Sequence, residues 1–212
     1  MDTEAQIRPP IGHLFAATSE ESVTGSLYDY VVGGNGVFLQ AQRAEFSFCL
    51  PIAKCDIRGL PEIEERFVWN LPRVPLSVVE AMLRPARAQA LEDREILFHL
   101  LPGCGSPLKL GWLMEIPQQE QGRASCRPLD SGPDSSHARA LIEIHSHHNM
   151  PAFFSSTDDA DEQGFRIYGV LGQVLEAPEI RIRVGCHGYH FDIPAHWVMH
   201  LPCGLKDLTE AE

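Results

Sequence analysis

The apolar run Ala140-Leu141-Ile142-Glu143-Ile144 leads without a break into His145-Ser146-His147. Seven residues later comes Ser155 and, after two more, Asp158. The run has the composition of a buried strand, so His145 and His147, two apart, turn their rings to one face. Beyond them, Thr157-Asp158-Asp159-Ala160-Asp161-Glu162-Gln163 reads as the first turns of a helix, whose acidic start suits the positive end of the helix dipole. A chain with this order must build a strand, a loop and a helix, and the loop is short enough to return Asp158 to the two imidazoles.

The residue types then argue for a chemistry. Two neutral imidazoles and one carboxylate suit Zn²⁺, and three protein ligands leave a fourth position for water, which marks a catalytic rather than a structural site. Such a site also needs a general base near that water. Ser155-x-x-Asp158 reads equally as a capping box for the helix that follows, and capping and catalysis are compatible there. Packing alone would also explain strand histidines, but it does not explain two on one face with a Ser and an Asp at this spacing.

The string H-S-H-x7-S-x2-D resembles the signature of the JAMM (MPN+) zinc metalloproteases, the Mov34/MPN/PAD-1 and Prok-JAB group. These are isopeptidases that remove ubiquitin or ubiquitin-like proteins from their conjugates. The resemblance implies His145, His147 and Asp158 as zinc ligands and Ser155 as the hydroxyl that steadies the tetrahedral intermediate. It also implies a general-base Glu on an earlier strand. The best match is Glu95 in Arg94-Glu95-Ile96-Leu97-Phe98-His99-Leu100, which opens an apolar strand directly after a helix; Glu92 is the alternative. Phe98 and Leu100-Leu101 stand where glycines often follow the family's Glu, and His148-Asn149-Met150 stands where many members have Pro directly after the second His.

The longer run Pro151-Ala152-Phe153-Phe154-Ser155-Ser156-Thr157-Asp158-Asp159-Ala160-Asp161 is similar to the PRTRC system protein A branch of bacterial JAMM proteins. Members of that branch are encoded beside a ubiquitin-like protein, an E2-like protein and a ThiF-like E1. The resemblance covers residues 76–195 and reaches the N-terminal part loosely. It implies an α/β fold of the α+β type, a cytidine-deaminase-like mixed sheet flanked by helices. It implies a ubiquitin-like protein or its conjugate as substrate, E1-like and E2-like proteins as partners, and zinc-dependent hydrolysis of an isopeptide or peptide bond. The alternative is a non-catalytic MPN scaffold in such a conjugation system, which would follow if Glu95 were not the base.

The rest of the chain supplies organisation. Gly33-Gly34-Asn35-Gly36 signals a turn before the strand Val37-Phe38-Leu39-Gln40-Ala41, and Glu45-Phe46-Ser47-Phe48-Cys49-Leu50 alternates like a second strand. Residues 1–75 are therefore expected to form a β-rich subdomain. Pro72 and Pro75 punctuate the chain before a helix over 76–90 with an apolar stripe at Leu76, Val79, Met82 and Leu83, where residues 76–195 begin the metal-bearing domain. A strand from Glu95, a turn at Gly103-Cys104-Gly105, a strand over 108–116 and a loop over 118–136 follow. Strands over 166–171, 180–184 and 189–193 complete the sheet, and 196–212 is a C-terminal tail.

A net charge of −12 argues against a nucleic-acid partner, because phosphate binding needs clustered Lys and Arg. The start Met1-Asp2-Thr3-Glu4 has no signal-peptide pattern, and no apolar run approaches the ~20 residues that span a bilayer. The expected compartment is the cytoplasm. Six cysteines without a C-x-x-C pair read as reduced thiols of an intracellular protein. Cys186, His187, His190, His196 and His200 are dense but lack standard zinc spacing, and read as surface or packing residues.

Overall fold

The computed structural model describes residues 9–16, 23–103 and 111–209. Cys104, Gly105 and the first three residues of the strand expected over 108–116 lie outside the described residues, as do Met1 to Glu4. The architecture is α+β and strand-rich, with mixed sheets and a few helices. The chain divides into two compact units, Met1–Leu71 and Pro72–Glu212, so the division falls a few residues before the 75/76 position expected from the helix start.

The first unit is one five-stranded sheet in sequential order: β1 (Ile11–Phe15), β2 (Tyr28–Gly33), β3 (Gly36–Gln42), β4 (Phe46–Lys54) and β5 (Arg66–Trp69). β1 pairs parallel with β2, and the remaining pairs are antiparallel. The turn expected at Gly33–Gly36 joins β2 to β3. Gly36 needs its freedom there, since its φ of 149° is open to few L residues. β2 escaped the sequence reading because Asp29 interrupts its apolar run. That carboxylate is buried and accepts from the Thr24 and Gly25 amides and the Thr24 hydroxyl, which makes an acid tolerable inside a strand.

The second unit opens with α1 (Leu76–Ala90), whose buried Val79, Met82, Leu83, Ala86 and Ala90 follow helical spacing; Leu76, expected in the stripe, is exposed. Six strands lie side by side in the order β13 (Tyr189–Ile193), β12 (Glu179–Cys186), β11 (Arg166–Gly172), β10 (Ile142–Ser146), β6 (Leu97–Pro102) and β7 (Trp112–Glu115), with β14 (Lys206–Asp207) beside β12. β10 runs parallel to β11 and antiparallel to β6, so the sheet is mixed. Phe98, Leu100, Ile142, Ile144, Ile167, Val170 and Ile182 are buried on these central strands, which explains their near-continuous apolar composition.

Three features differ from expectation. The stretch 118–136 is not a plain loop: it carries a hairpin of β8 (Gln119–Gln121) and β9 (Cys126–Pro128) and a single turn, α2 (Ser136–Arg139). Strands of three residues are too short for alternation to reveal. The helix after the histidines, α3 (Ser156–Asp161), is shorter than expected because Glu162 leaves helical geometry at ψ 62°. Residues 196–209 are also not a tail. Val198, Met199 and Leu205 are buried, Met199 bridges Val74, β14 joins the sheet, and Asp207 accepts from the Ala195 amide at 2.6 Å. Among the described residues no helix is long and apolar enough to cross a membrane.

Candidate metal centre

β10 ends at Ser146 inside the sheet. The Ser146 amide donates to the Ile96 carbonyl and the Ser146 hydroxyl accepts from the Ile96 amide, while the His147 amide continues the pairing to Leu171 of β11 at 2.7 Å. Both imidazoles are therefore held by a strand buried in the middle of the sheet, and their Nε2 atoms lie 3.1 Å apart. His148 turns the chain in the left-handed region, at φ 38°, and its ring is fixed against the Arg123 carbonyl at 3.0 Å. The loop that follows packs on the end of β11 only because residue 172 is glycine; a Cβ there would run into the Ala152 amide nitrogen.

The chain then caps α3. Ser155 accepts from the Asp158 amide, and the Asp158 side chain reaches back, its Oδ2 accepting from the Ser155 amide at 2.6 Å and from the Ser155 hydroxyl at 2.7 Å. This capping box leaves the second oxygen, Oδ1, 3.5 Å from His145 Nε2. Arg183 of β12 anchors the same helix: it is buried, binds Glu162 and Asp159, and stacks over Phe154 at 3.8 Å. The helix carrying Asp158 is thus tied to the sheet that carries the histidines.

Glu95 sits in the extended lead-in to β6, two residues before the strand proper. Its backbone is held by the hairpin, the amide donating to the Gly122 carbonyl and the carbonyl accepting from Gln121 Nε2, while the Gln119 amide group clasps both polar groups of Leu97. Glu95 is 2% exposed, its Oε1 lies 3.8 Å from His147 Nε2, and that oxygen has no hydrogen-bond partner among the described residues. Glu92, the alternative candidate, is exposed on the turn after α1. The hairpin also helps to line a narrow cavity of about 50 Å³ bordered by Glu95, Cys126, Glu143, His145 and Asp158.

The electrostatics give each side chain the protonation state a metal requires. Burial holds His145 neutral, pushing its pKa down, and burial lowers His147 as well. His147 Nδ1 faces the Pro151 carbonyl at 3.4 Å, and since a carbonyl only accepts, the ring proton sits there and Nε2 keeps its lone pair. For Asp158, burial raises the pKa, but His145 and the Ser155 bonds outweigh it and leave the carboxyl below its ordinary value. Glu95 goes the other way. Burial, and then the Asp158 charge, push it up to about 7.

These residues fit a small divalent ion. A tetrahedral ion bound at about 2.0–2.1 Å holds its ligand atoms about 3.3 Å apart, and the two separations to His145 Nε2 are 3.1 and 3.5 Å. Two neutral nitrogen lone pairs at that distance repel each other unless a proton or a cation lies between them. Among the described residues, His145, His147 and Asp158 are one of two groups of side chains whose donor atoms converge closely enough to hold a metal. The sequence motif names all three.

The other group was missed. It joins His99 of β6, His137 of α2 and Glu143 of β10. His99 and Glu143 are direct cross-strand partners, a relationship that appears only once β6 and β10 are in register. The histidines after residue 185, by contrast, form no such group among the described residues. No family model matches the chain, and no curated protein matches it.

Proposed function

We propose that the chain is a zinc-dependent isopeptidase or peptidase of the JAMM type that processes a ubiquitin-like protein or its conjugates. The observation that carries the reading is the convergence of His145, His147 and Asp158 beside a buried, unpartnered Glu95 carboxylate. A mixed sheet that delivers the two histidines from a central strand and the aspartate from a capped helix supports a JAMM/MPN, cytidine-deaminase-like fold.

His145, His147 and Asp158 would hold a zinc ion, which when bound would supply Lewis acidity toward a carbonyl and lower the pKa of water toward ~7. Glu95, poised near neutrality by burial, accepts the proton of the attacking water and hands it to the leaving lysine amine. Its unpartnered oxygen is free to do so, because no other donor in the site engages it. Ser155 orients Asp158 through the capping box, and to steady the oxygen that becomes negative as the carbonyl is attacked its single hydroxyl proton would turn from Asp158 Oδ2 to that oxygen. E1-like and E2-like proteins of the same conjugation system are further partners consistent with this reading.

The test is zinc content together with cleavage of a ubiquitin-like protein fused to, or conjugated with, a lysine-bearing partner. Chelator-sensitive cleavage that is lost in both His147→Ala and Glu95→Gln is the expected result. Wild-type protein that takes up no zinc overturns the reading, and zinc-bound protein in which Glu95→Gln cleaves at the ordinary rate removes Glu95 as base.

A further inference from the structure

We propose that His99 Nε2, His137 Nδ1 and Glu143 Oε2 form a second binding site for a divalent transition cation of the zinc type, separate from the centre at His145, His147 and Asp158. The donor set has the same chemistry, two imidazoles and one carboxylate. Glu143 Oε2 lies 2.9 Å from His137 Nδ1 and 3.3 Å from His99 Nε2, and all three donors fall within 4.8 Å of one another. Those two separations lie at and somewhat below the ~3.3 Å between ligands of a tetrahedral ion.

A hydrogen-bonded cluster accounts for only part of this arrangement. His137 and Glu143 are aligned as a hydrogen bond. His99 is fully buried, yet its Nε2 has no aligned partner despite the carboxylate 3.3 Å away. A buried ring nitrogen 3.3 Å from a carboxylate oxygen but out of line for a hydrogen bond to it, and within 4.8 Å of a second imidazole nitrogen, is accounted for when an ion occupies the point where the three converge. The opposite edge of the ring is held as a metal-binding histidine usually is, with Nδ1 on the Ser136 hydroxyl at 2.8 Å. Arg166 Nη1 also approaches Glu143 Oε2, at 3.4 Å, but its shorter bond, 2.7 Å, goes to the His137 carbonyl. The guanidinium thus ties α2 and the carboxylate together.

The two sites share no ligand. Glu143 and His145 are alternate residues of β10, and alternate strand residues are roughly 6.5–7 Å apart, beyond the ~4 Å of a bridged metal pair. The second cation's role is to fasten α2, a single turn in the long segment before β10, to the two central strands β6 and β10. It requires neither peptidase activity nor the first metal.

The experiment is metal counting on the full chain, stripped with chelator, reloaded with zinc and desalted, for wild type, His137→Ala and His147→Ala, with circular dichroism as the fold control. Two zinc ions per wild-type chain, with one lost in each variant, is the expected result. One zinc in wild type, lost in His147→Ala and kept in His137→Ala, overturns the second site and leaves the first. One zinc lost in His137→Ala and kept in His147→Ala supports the second site while removing the metal centre on which the proposed function rests. Two zinc ions unaffected by His137→Ala overturn the ligand assignment. If His137→Ala fails to fold, the count in wild type and in His147→Ala still decides, since without a second site these are one and none.

Discussion

Glu95 Oε1 lies 3.8 Å from His147 Nε2, buried and without a hydrogen-bond partner. A buried carboxylate beside an imidazole that could bind a metal is an unfavourable arrangement for stability and a useful one for proton transfer. Glu95→Gln should keep zinc stoichiometry while turnover falls by at least about 10²-fold, the usual range for loss of a positioned base. Zinc content and cleavage rate measured on one preparation check it.

The same burial makes metal-free stability depend on pH. The Glu95 pKa in the folded chain, about 7, lies above its unfolded value of 4.5, so its contribution is fully present below 4.5 and is lost as pH rises through about 7. The difference corresponds to roughly 3 kcal/mol at most. Denaturant unfolding of chelated protein at pH 5 and pH 8 should show wild type losing more stability over that interval than Glu95→Gln. Equal losses would mean that Glu95 titrates normally.

Ser155→Ala removes two things at once. Loss of the cap should cost about 1 kcal/mol of stability. Freeing Asp158 Oδ2 from the hydroxyl that orients it should weaken zinc binding roughly 10- to 100-fold, as other losses of a partner behind a metal ligand do. Competition with a chelating dye reads the second effect separately from thermal unfolding.

Arg183→Leu should destabilise the fold, most at pH above 8, because it leaves Glu162, whose carboxyl burial already pushes up to about 8, without its cation. Adding Glu162→Gln to it should recover a large part of the loss. Chemical denaturation of the two variants tests this, and a single variant as stable as wild type would mean the pair does not anchor α3.

Gly172→Ala should disturb the site without altering any ligand. The added methyl group meets the Ala152 amide nitrogen and the Pro151 carbonyl carbon, both backbone atoms that cannot rotate away, so the loop between His147 and Ser155 must shift. Reduced zinc affinity with the secondary structure intact is the expected outcome.

The convergence of His145, His147 and Asp158 was legible in the chain because all three lie within one strand–loop–helix segment. Local rules cover that distance: alternation puts His145 and His147 on one face, and the Ser155 capping box fixes where α3 starts and therefore where Asp158 points. The helix over 76–90 and the strands that carry alternating or continuous apolar runs follow from the same periodicities. The short strands β8, β9 and β14 did not, since two or three residues carry no period.

What is distant in sequence was decided by the tertiary structure. Local pattern favours Glu95, at the start of an apolar strand, but leaves Glu92 open; in the folded chain the β8–β9 hairpin docks on the start of β6 beside buried Glu95, while Glu92 stays in water. His99 and Glu143 meet because β6 and β10 pair antiparallel in one register, and His137 joins them from a turn that no periodicity announces. The residues after 195 are apolar at Trp197, Val198, Met199, Leu201, Leu205 and Leu208 but are interrupted by Pro202 and Gly204, and it is the pairing of β14 with β12 and the burial of Met199 and Leu205 that tie them to the second unit. Local sequence sets the direction of a side chain along its own element, while which elements come together depends on burying apolar surface across the whole chain, a property no short segment carries.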